Sequence, residues 1–285
     1  MSKAKFAQAA IDELGWFKAH RFLLLRRLTQ LLVLGLFAIG PWMGLWILKG
    51  NLSASELLAL VPLADPLTTL QVIMAGHIPE ISLLLGAAII ALFYALAGGR
   101  VFCSWVCPVN MITDAASWLR RKLALPRLAE MPRNLRYYLL AMVLILPVLT
   151  GITAWEWVNP VPVLYRAVLF GAITGLWVLV VIFLLDLFIS ERAWCSHLCP
   201  TGAMFALLGK VSPVKVAATR ASACDNCMDC FEVCPERQVL KPALKGNNPV
   251  IVDSDCTQCG RCIDVCAQRV FQYQNRIAIK AENNQ

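Results

Sequence analysis

The chain has 285 residues, of which 59% are hydrophobic and 15% charged, whereas a soluble globular domain is roughly 45–50% apolar and about 25% charged. An apolar excess of this size excludes collagen-like, disordered and single-domain soluble proteins and points to the membrane. The net charge of +8 would suit a nucleic-acid binder. However, the Lys and Arg residues cluster beside apolar stretches and leave no basic stripe, so that class is excluded too.

Residues 1–27 form an N-terminal segment with six basic residues, among them Arg21, Arg26 and Arg27. Asp12 and Glu13 interrupt it, unlike the start of a signal peptide, so the first apolar stretch is expected to stay as an anchor. Four such stretches follow, at Leu28–Leu48, Ile81–Leu96, Tyr137–Ala154 and Leu164–Ile189. Each is near the ~20 helical residues, or as few as ~17, that cross a hydrocarbon core of ~30 Å. Seven basic residues lie from Arg100 to Arg136 and eleven follow Ile189, while the loops at 50–80 and 155–163 contain none. With four spans predicted, the positive-inside rule places both termini and the 97–136 loop in the cytoplasm. Three histidines are present, His20, His77 and His197, none within a predicted span. No haem is therefore expected in the membrane, and no glycine-rich nucleotide fingerprint is found.

After the second stretch comes Arg100-Val-Phe-Cys103-Ser-Trp-Val-Cys107-Pro108. It recurs 92 residues later, after the fourth, as Arg192-Ala-Trp-Cys195-Ser-His-Leu-Cys199-Pro200. Residues 28–209 thus read as two repeated membrane hairpins, each ending in an Arg-x-aromatic-Cys-x3-Cys-Pro unit, with a pseudo-two-fold axis along the membrane normal. A spacing of four puts both sulfurs of a unit on one helix face, so the two units together offer four thiolates for a redox or partner metal site. Packing of small apolar side chains is the competing explanation.

Two acidic residues near the predicted spans are candidates for proton-accepting groups. Asp186 lies deep in the fourth stretch, where an ionisable group is costly without a role or a partner, and Arg192 is the partner expected for it. Glu156 lies between Trp155 and Trp157 at the opposite face, where tryptophans also form the ordinary interfacial belt.

Residues 210–223, broken by Pro213, read as a linker to a tail at 224–280. There Cys224-x2-Cys227-x2-Cys230-x3-Cys234-Pro235 is followed by Cys256-x2-Cys259-x2-Cys262-x3-Cys266. All twelve cysteines fall outside the predicted spans, on the side predicted to be reducing, where metal or redox chemistry is a better explanation than disulfides. The tail spacing is that of two-cluster bacterial ferredoxins, in which the fourth cysteine of each run ligates the other cluster. It assigns Cys224, Cys227, Cys230 and Cys266 to one [4Fe-4S] cluster and Cys256, Cys259, Cys262 and Cys234 to the other. Structural zinc, the alternative, usually takes two Cys pairs with a longer spacer. Ala267 stands where a proline is expected after the last ligand. Val250-Ile251-Val252 and Arg276-Ile277-Ala278-Ile279 are predicted strands. The expected fold is an α-helical integral membrane protein with a C-terminal α+β two-cluster ferredoxin-like domain.

The combination of four spans, two Cys-x3-Cys-Pro units and a two-cluster tail resembles the NapH family, membrane quinol dehydrogenase subunits of periplasmic nitrate reductase systems. Arg100–Pro108, Trp155–Pro160 and Cys227-Met228-Asp229-Cys230 look like that family in particular. The resemblance implies electron transfer from the quinol pool toward periplasmic nitrate reductase. The partners it implies are an iron–sulfur protein resembling NapG and, in some systems, the cytochrome NapC. Related proteins act in the assembly of metal centres, so maturation of a partner enzyme is the alternative function.

Overall fold

The computed structural model describes residues 7–276, apart from Arg127, Glu130 and Asn247. The chain divides into two compact units. Among the described residues, one comprises those up to Thr29, Tyr94–Trp105 and those from Ala206 onward, and the other Gln30–Phe93 and Val106–Phe205.

The second unit is mainly helical. Among the described residues one helix, Arg21–Met43, is long and apolar enough to cross a membrane by itself, and it runs into this unit. Ile81–Ala97, Leu135–Thr150, Pro160–Phe170 and Leu176–Ile189 are apolar but shorter. Their large side chains stay uncovered: Leu149 is 76% exposed, and Leu92, Ile145 and Trp177 are exposed as well. A contiguous apolar exterior of this kind needs lipid or protein to cover it.

The fourth stretch departs from expectation. Leu164–Ile189 was predicted as one span, but Asn159 begins a helix early by accepting from Val161 N at 3.1 Å, with Pro160 at its first position. That helix ends at Gly171, whose φ of 64° is left-handed. Such a glycine closes a helix by satisfying its last carbonyls, at little steric cost. A single 3-10 turn, Ile173–Gly175, separates it from the next helix, Leu176–Leu184.

The loop after Arg21–Met43 is also more ordered than its sequence suggests. It forms an antiparallel sheet of β1 (Leu48–Gly50), β2 (Ala54–Leu57) and β3 (Val61–Ala64) in the order β1-β2-β3. Asp65 then caps a short helix, Pro66–Met74, accepting from Leu67 N at 3.2 Å. Leu67 of that helix packs with Leu140, Val143 and Trp155.

The first unit is built on β4 (Val214–Ala218) paired antiparallel with β5 (Phe271–Asn275), Val216 opposite Tyr273. The predicted linker 210–223 is therefore corrected: its middle is a strand with four of five residues buried. Pro213 sits just before β4, where its missing N–H costs the ladder nothing. Of the predicted strand Val250–Val252, only a bridge from Val250 to Ala217 forms. The predicted strand at 276–279 falls largely outside the described residues, and β5 lies just before it. The core holds Val216, Leu240, Ile251 and Phe271.

The N-terminal segment belongs to this unit and is held by named contacts. Ala7 N donates to Asp229 Oδ2 at 3.2 Å. Asp264 accepts from Phe22 N and Leu23 N at 3.0 and 3.1 Å, placing a carboxylate on the unsatisfied amides that open the helix Arg21–Met43.

Candidate functional site

Each cysteine triplet of the tail curls through residues of positive φ on either side of its middle cysteine. Asn226 (59°) and Met228 (67°) flank Cys227, and Gln258 (50°) and Gly260 (71°) flank Cys259. Left-handed residues in such a loop turn successive backbone N–H groups toward one concavity, the arrangement that accommodates anions and iron–sulfur groups. At Gly260 no other residue fits, because a Cβ would lie 2.4 Å from the Phe22 ring.

From the first loop, a helix at Asp229–Val233 carries the chain away and ends at Cys234, where the backbone becomes extended before Pro235. Four sulfurs meet at each of two cavities. The first, of about 420 Å³, is lined by Cys224, Cys227, Cys230 and Cys266. The second is smaller, and Cys234, Cys256, Cys259 and Cys262 line it. The fourth cysteine of each run thus faces the cavity of the other run. Cys227 is exposed, while Cys259 and Cys262 are buried, so the first cavity is nearer solvent than the second.

The donor set fits a polynuclear iron–sulfur group. Burial, with the neighbouring cysteines, pushes the Cys230 thiol up to about 12, and burial does the same at Cys256. Cys234 and Cys262 are pushed well above the usual thiol range. Four gathered thiolates therefore require a cationic partner, and thiolate ligation to iron supplies one. Among the described residues no three or more His, Cys, Asp or Glu side chains converge closely enough for a single ion.

The two repeat units diverge. Both fold as π-helical turns, Phe102–Val106 and Trp194–Leu198, but Cys103 belongs to the first compact unit, and Cys107, Cys195 and Cys199 to the second. Cys195 Sγ lies 3.8 Å from Thr113 Oγ1, and Cys199 Sγ accepts from Gly202 N at 3.4 Å. The arginines differ as well. Arg192 pairs with Asp114 at 2.5 Å, whereas Arg100 pairs with Glu236 at 2.8 Å.

Asp186 is wholly buried, as expected, and Arg192, the partner expected for it, is near enough to act on its charge. With Arg192 held by Asp114, Asp186 Oδ1 accepts from Trp194 N at 3.0 Å, and Oδ2 has no hydrogen-bond partner among the described residues. Glu156 sits in a polar corner. Thr68 Oγ1 donates to its Oε1 at 2.7 Å, and Ser53 Oγ lies 3.3 Å from both carboxylate oxygens. Thr68 Oγ1 is also 3.3 Å from Asp65. Burial, with Glu156 nearby, pushes the Asp65 carboxyl up to about 6. Sequence reasoning missed Asp65, although Asp65-Pro66 is a legible helix start. It also missed Glu236, for which the sequence holds no signal beyond its place after Cys234-Pro235.

An iron–sulfur protein of ferredoxin type, with one two-cluster unit and a duplicated helical part, is the class that this fold and these cavities define. A family profile described as a 4Fe-4S binding domain matches residues 80–126 and again 170–217, covering the two repeat units, and one described as a 4Fe-4S dicluster domain matches 217–267. The chain is 49% identical to the ferredoxin-type protein NapH of Haemophilus influenzae over 95% of its length and 96% of that protein. It is also 49% identical to NapH of Escherichia coli over 96% of each chain. To the methylamine utilization ferredoxin-type protein MauN of Paracoccus denitrificans it is again 49% identical, over 92% of this chain and 93% of that one. The chain belongs to the family of ferredoxin-type NapH and MauN proteins. No solved structure matches it.

Proposed function

We propose that the chain is the membrane subunit of a quinol dehydrogenase, taking electrons from the quinol pool and passing them through two tail clusters to a partner protein. The observation that carries this reading is the pair of four-cysteine cavities in crossed arrangement. The uncovered apolar helices of the other unit support a place in the membrane. The clusters, when bound, supply one-electron acceptance and release. Cys224, Cys227, Cys230 and Cys266 hold one; Cys256, Cys259, Cys262 and Cys234 hold the other. Phe271 and Leu240, packed against these thiols, keep water from the buried side.

Quinol oxidation releases two protons for two electrons, so a proton acceptor is needed where the headgroup sits. Glu156 is the better placed of the two candidates, with Thr68 and Ser53 orienting its carboxylate and Asp65 able to share its proton near neutral pH. Asp186 is the candidate at the other face. A redox or partner-binding role for the Cys103/Cys107 pair and for the Cys195/Cys199 pair belongs to this reading, supported by the 4Fe-4S profile that matches both copies. The charge distribution supports four passes through an inner membrane with both termini and all cysteines in the cytoplasm.

The partners we propose are those that the family resemblance implies, a peripheral iron–sulfur protein of NapG type and, in some systems, the cytochrome NapC; MauN is named for methylamine utilization. Both relatives are named as ferredoxin-type, which supports electron transport as the shared function, and we propose quinol as the source and nitrate reduction as the destination for this chain.

The test is anaerobic mixing of lipid-reconstituted protein with menaquinol or ubiquinol analogues. Reduction of the iron–sulfur signal is expected, slowed at least tenfold by Glu156→Gln. Signals that dithionite reduces but neither quinol does, with the partner present, would defeat the proposal.

A further inference from the structure

Three hydrogen bonds fasten the segment Arg100–Trp105 to the loop that carries the second set of thiols. Arg100 Nη1 donates to the Asp255 carbonyl at 2.8 Å, Ser104 Oγ to that of Thr257 at 2.7 Å, and Trp105 Nε1 to that of Gln258 at 3.1 Å. The same Arg100 nitrogen lies 2.8 Å from Glu236 Oε1, and the two side chains are 1% and 2% exposed. Arg100 is near enough to Cys256 to act on its charge, and Glu236 likewise on Cys234. A buried ion pair therefore stands beside one cavity, with Glu236 on its lining and the two charges acting on different thiols. Lys215, its Nζ donating to the Gly209 carbonyl at 2.9 Å, adds a second buried cation beside Cys256. Around the other cavity the charges are Asp225 and Asp229 beside Cys227, with Lys241 and Lys245 on the lining; Asp229 is half-buried, and the other three are exposed and screened by water.

We propose that Arg100, with Glu236 as its counter-ion, sets the reduction potential of the centre held by Cys234, Cys256, Cys259 and Cys262. The inference rests on the two-cluster reading above and assigns the first repeat's arginine to a tail centre. Adding an electron to a buried centre adds negative charge where screening is weak, so a fixed cation favours the reduced form and a fixed anion opposes it. Arginine suits this role because it keeps its charge when buried. The pair acts by its field and touches no reacting group, which makes both members positioning residues. The twin Arg192 pairs instead with Asp114.

The experiment is an anaerobic redox titration of the full-length, cluster-loaded protein, followed by EPR. Arg100→Met should move one of the two midpoints to more negative potential, and Glu236→Gln should move the same midpoint to more positive potential. Arg100→Lys should stay near the wild type. The centre that moves should be the one whose signal Cys259→Ser removes. A purely structural role would send Arg100→Met and Glu236→Gln in the same direction, or cost iron in both, and either result overturns the inference. So does an unmoved midpoint, or movement of the other centre. If Arg100→Met does not retain its cluster, Glu236→Gln decides alone: a positive shift upholds the inference and any other result overturns it. Wild-type protein holding well under about eight irons per chain would instead sink the two-cluster reading itself, which keeps the two failures distinct.

Discussion

Arg100 and Arg192 occupy the same place in a repeated sequence, yet their partners are a ferredoxin-domain glutamate and a helix aspartate. No sequence pattern could separate them, because the partner of a buried arginine is decided by which acidic residue the fold brings near. Removing one member of a buried pair strands the other. Arg192→Met should therefore cost about 2–3 kcal/mol of stability, a range lowered for the partial exposure of the pair, and the double variant with Asp114→Asn should recover part of it. Thermal inactivation of the detergent-solubilised protein measures both, and equal losses in the single and double variants would deny that the pair matters.

Asp65 yields a pH prediction. Its carboxyl, raised to about 6 from an ordinary 3.8, holds a proton in the folded state after an unfolded chain has lost it. The stability this provides is complete below the ordinary value and disappears as pH rises through about 6. Asp65→Asn keeps an oxygen to cap Leu67 N and should flatten that stretch of the pH–stability profile. Infrared difference spectra should show a protonated carboxyl band lost with a midpoint of about 6 in the wild type and absent from the variant.

At the scale of elements, β4 illustrates what sequence reading could and could not reach. Val214-Lys215-Val216-Ala217-Ala218 lacks a clean alternation because its lysine is buried, hydrogen-bonded to Gly209. With Pro213 in front, it reads as a connector. Pairing with β5, some fifty residues away, makes it a strand, and long-range pairing leaves no local signature. Val216 is 1% exposed in that pair. Val216→Asp should cost at least about 3 kcal/mol by burying an unpaired charge and should strip both tail centres, whereas a true linker would tolerate it. Iron analysis after anaerobic purification distinguishes the two.

Helix ends carry local signals that the hydropathy reading passed over: Asn159-Pro160 and Asp65-Pro66 are ordinary starts, and Gly171 is an ordinary stop. Reading Leu164–Ile189 as a single span followed hydropathy, which counts apolar residues and is blind to a glycine that turns left-handed within them.

For the whole molecule, the tail was the most legible part, because the spacing Cys-x2-Cys-x2-Cys-x3-Cys is itself a geometric statement. Three thiols of one loop can reach one centre, and a helix then carries the fourth away, as Asp229–Val233 does for Cys234. The duplicated units were legible as a repeat, because Arg, an aromatic, two Cys and Pro recur at one spacing 92 residues apart. Docking of the N-terminal segment through Asp229 and Asp264 could not be read at all: those carboxylates look like any surface acid in the sequence.

The claim on which the rest depends is that the eight tail thiols hold two four-iron cubes in crossed sets. Mössbauer spectroscopy with iron and sulfide analysis of Cys234→Ser and Cys266→Ser tests it most directly. Wild-type protein should carry about eight irons in two cubes. Cys234→Ser should disturb the same cube as Cys259→Ser, and Cys266→Ser the same cube as Cys227→Ser. Cys234→Ser disturbing the cube of Cys227 instead, or stoichiometric zinc in place of iron, would contradict the account.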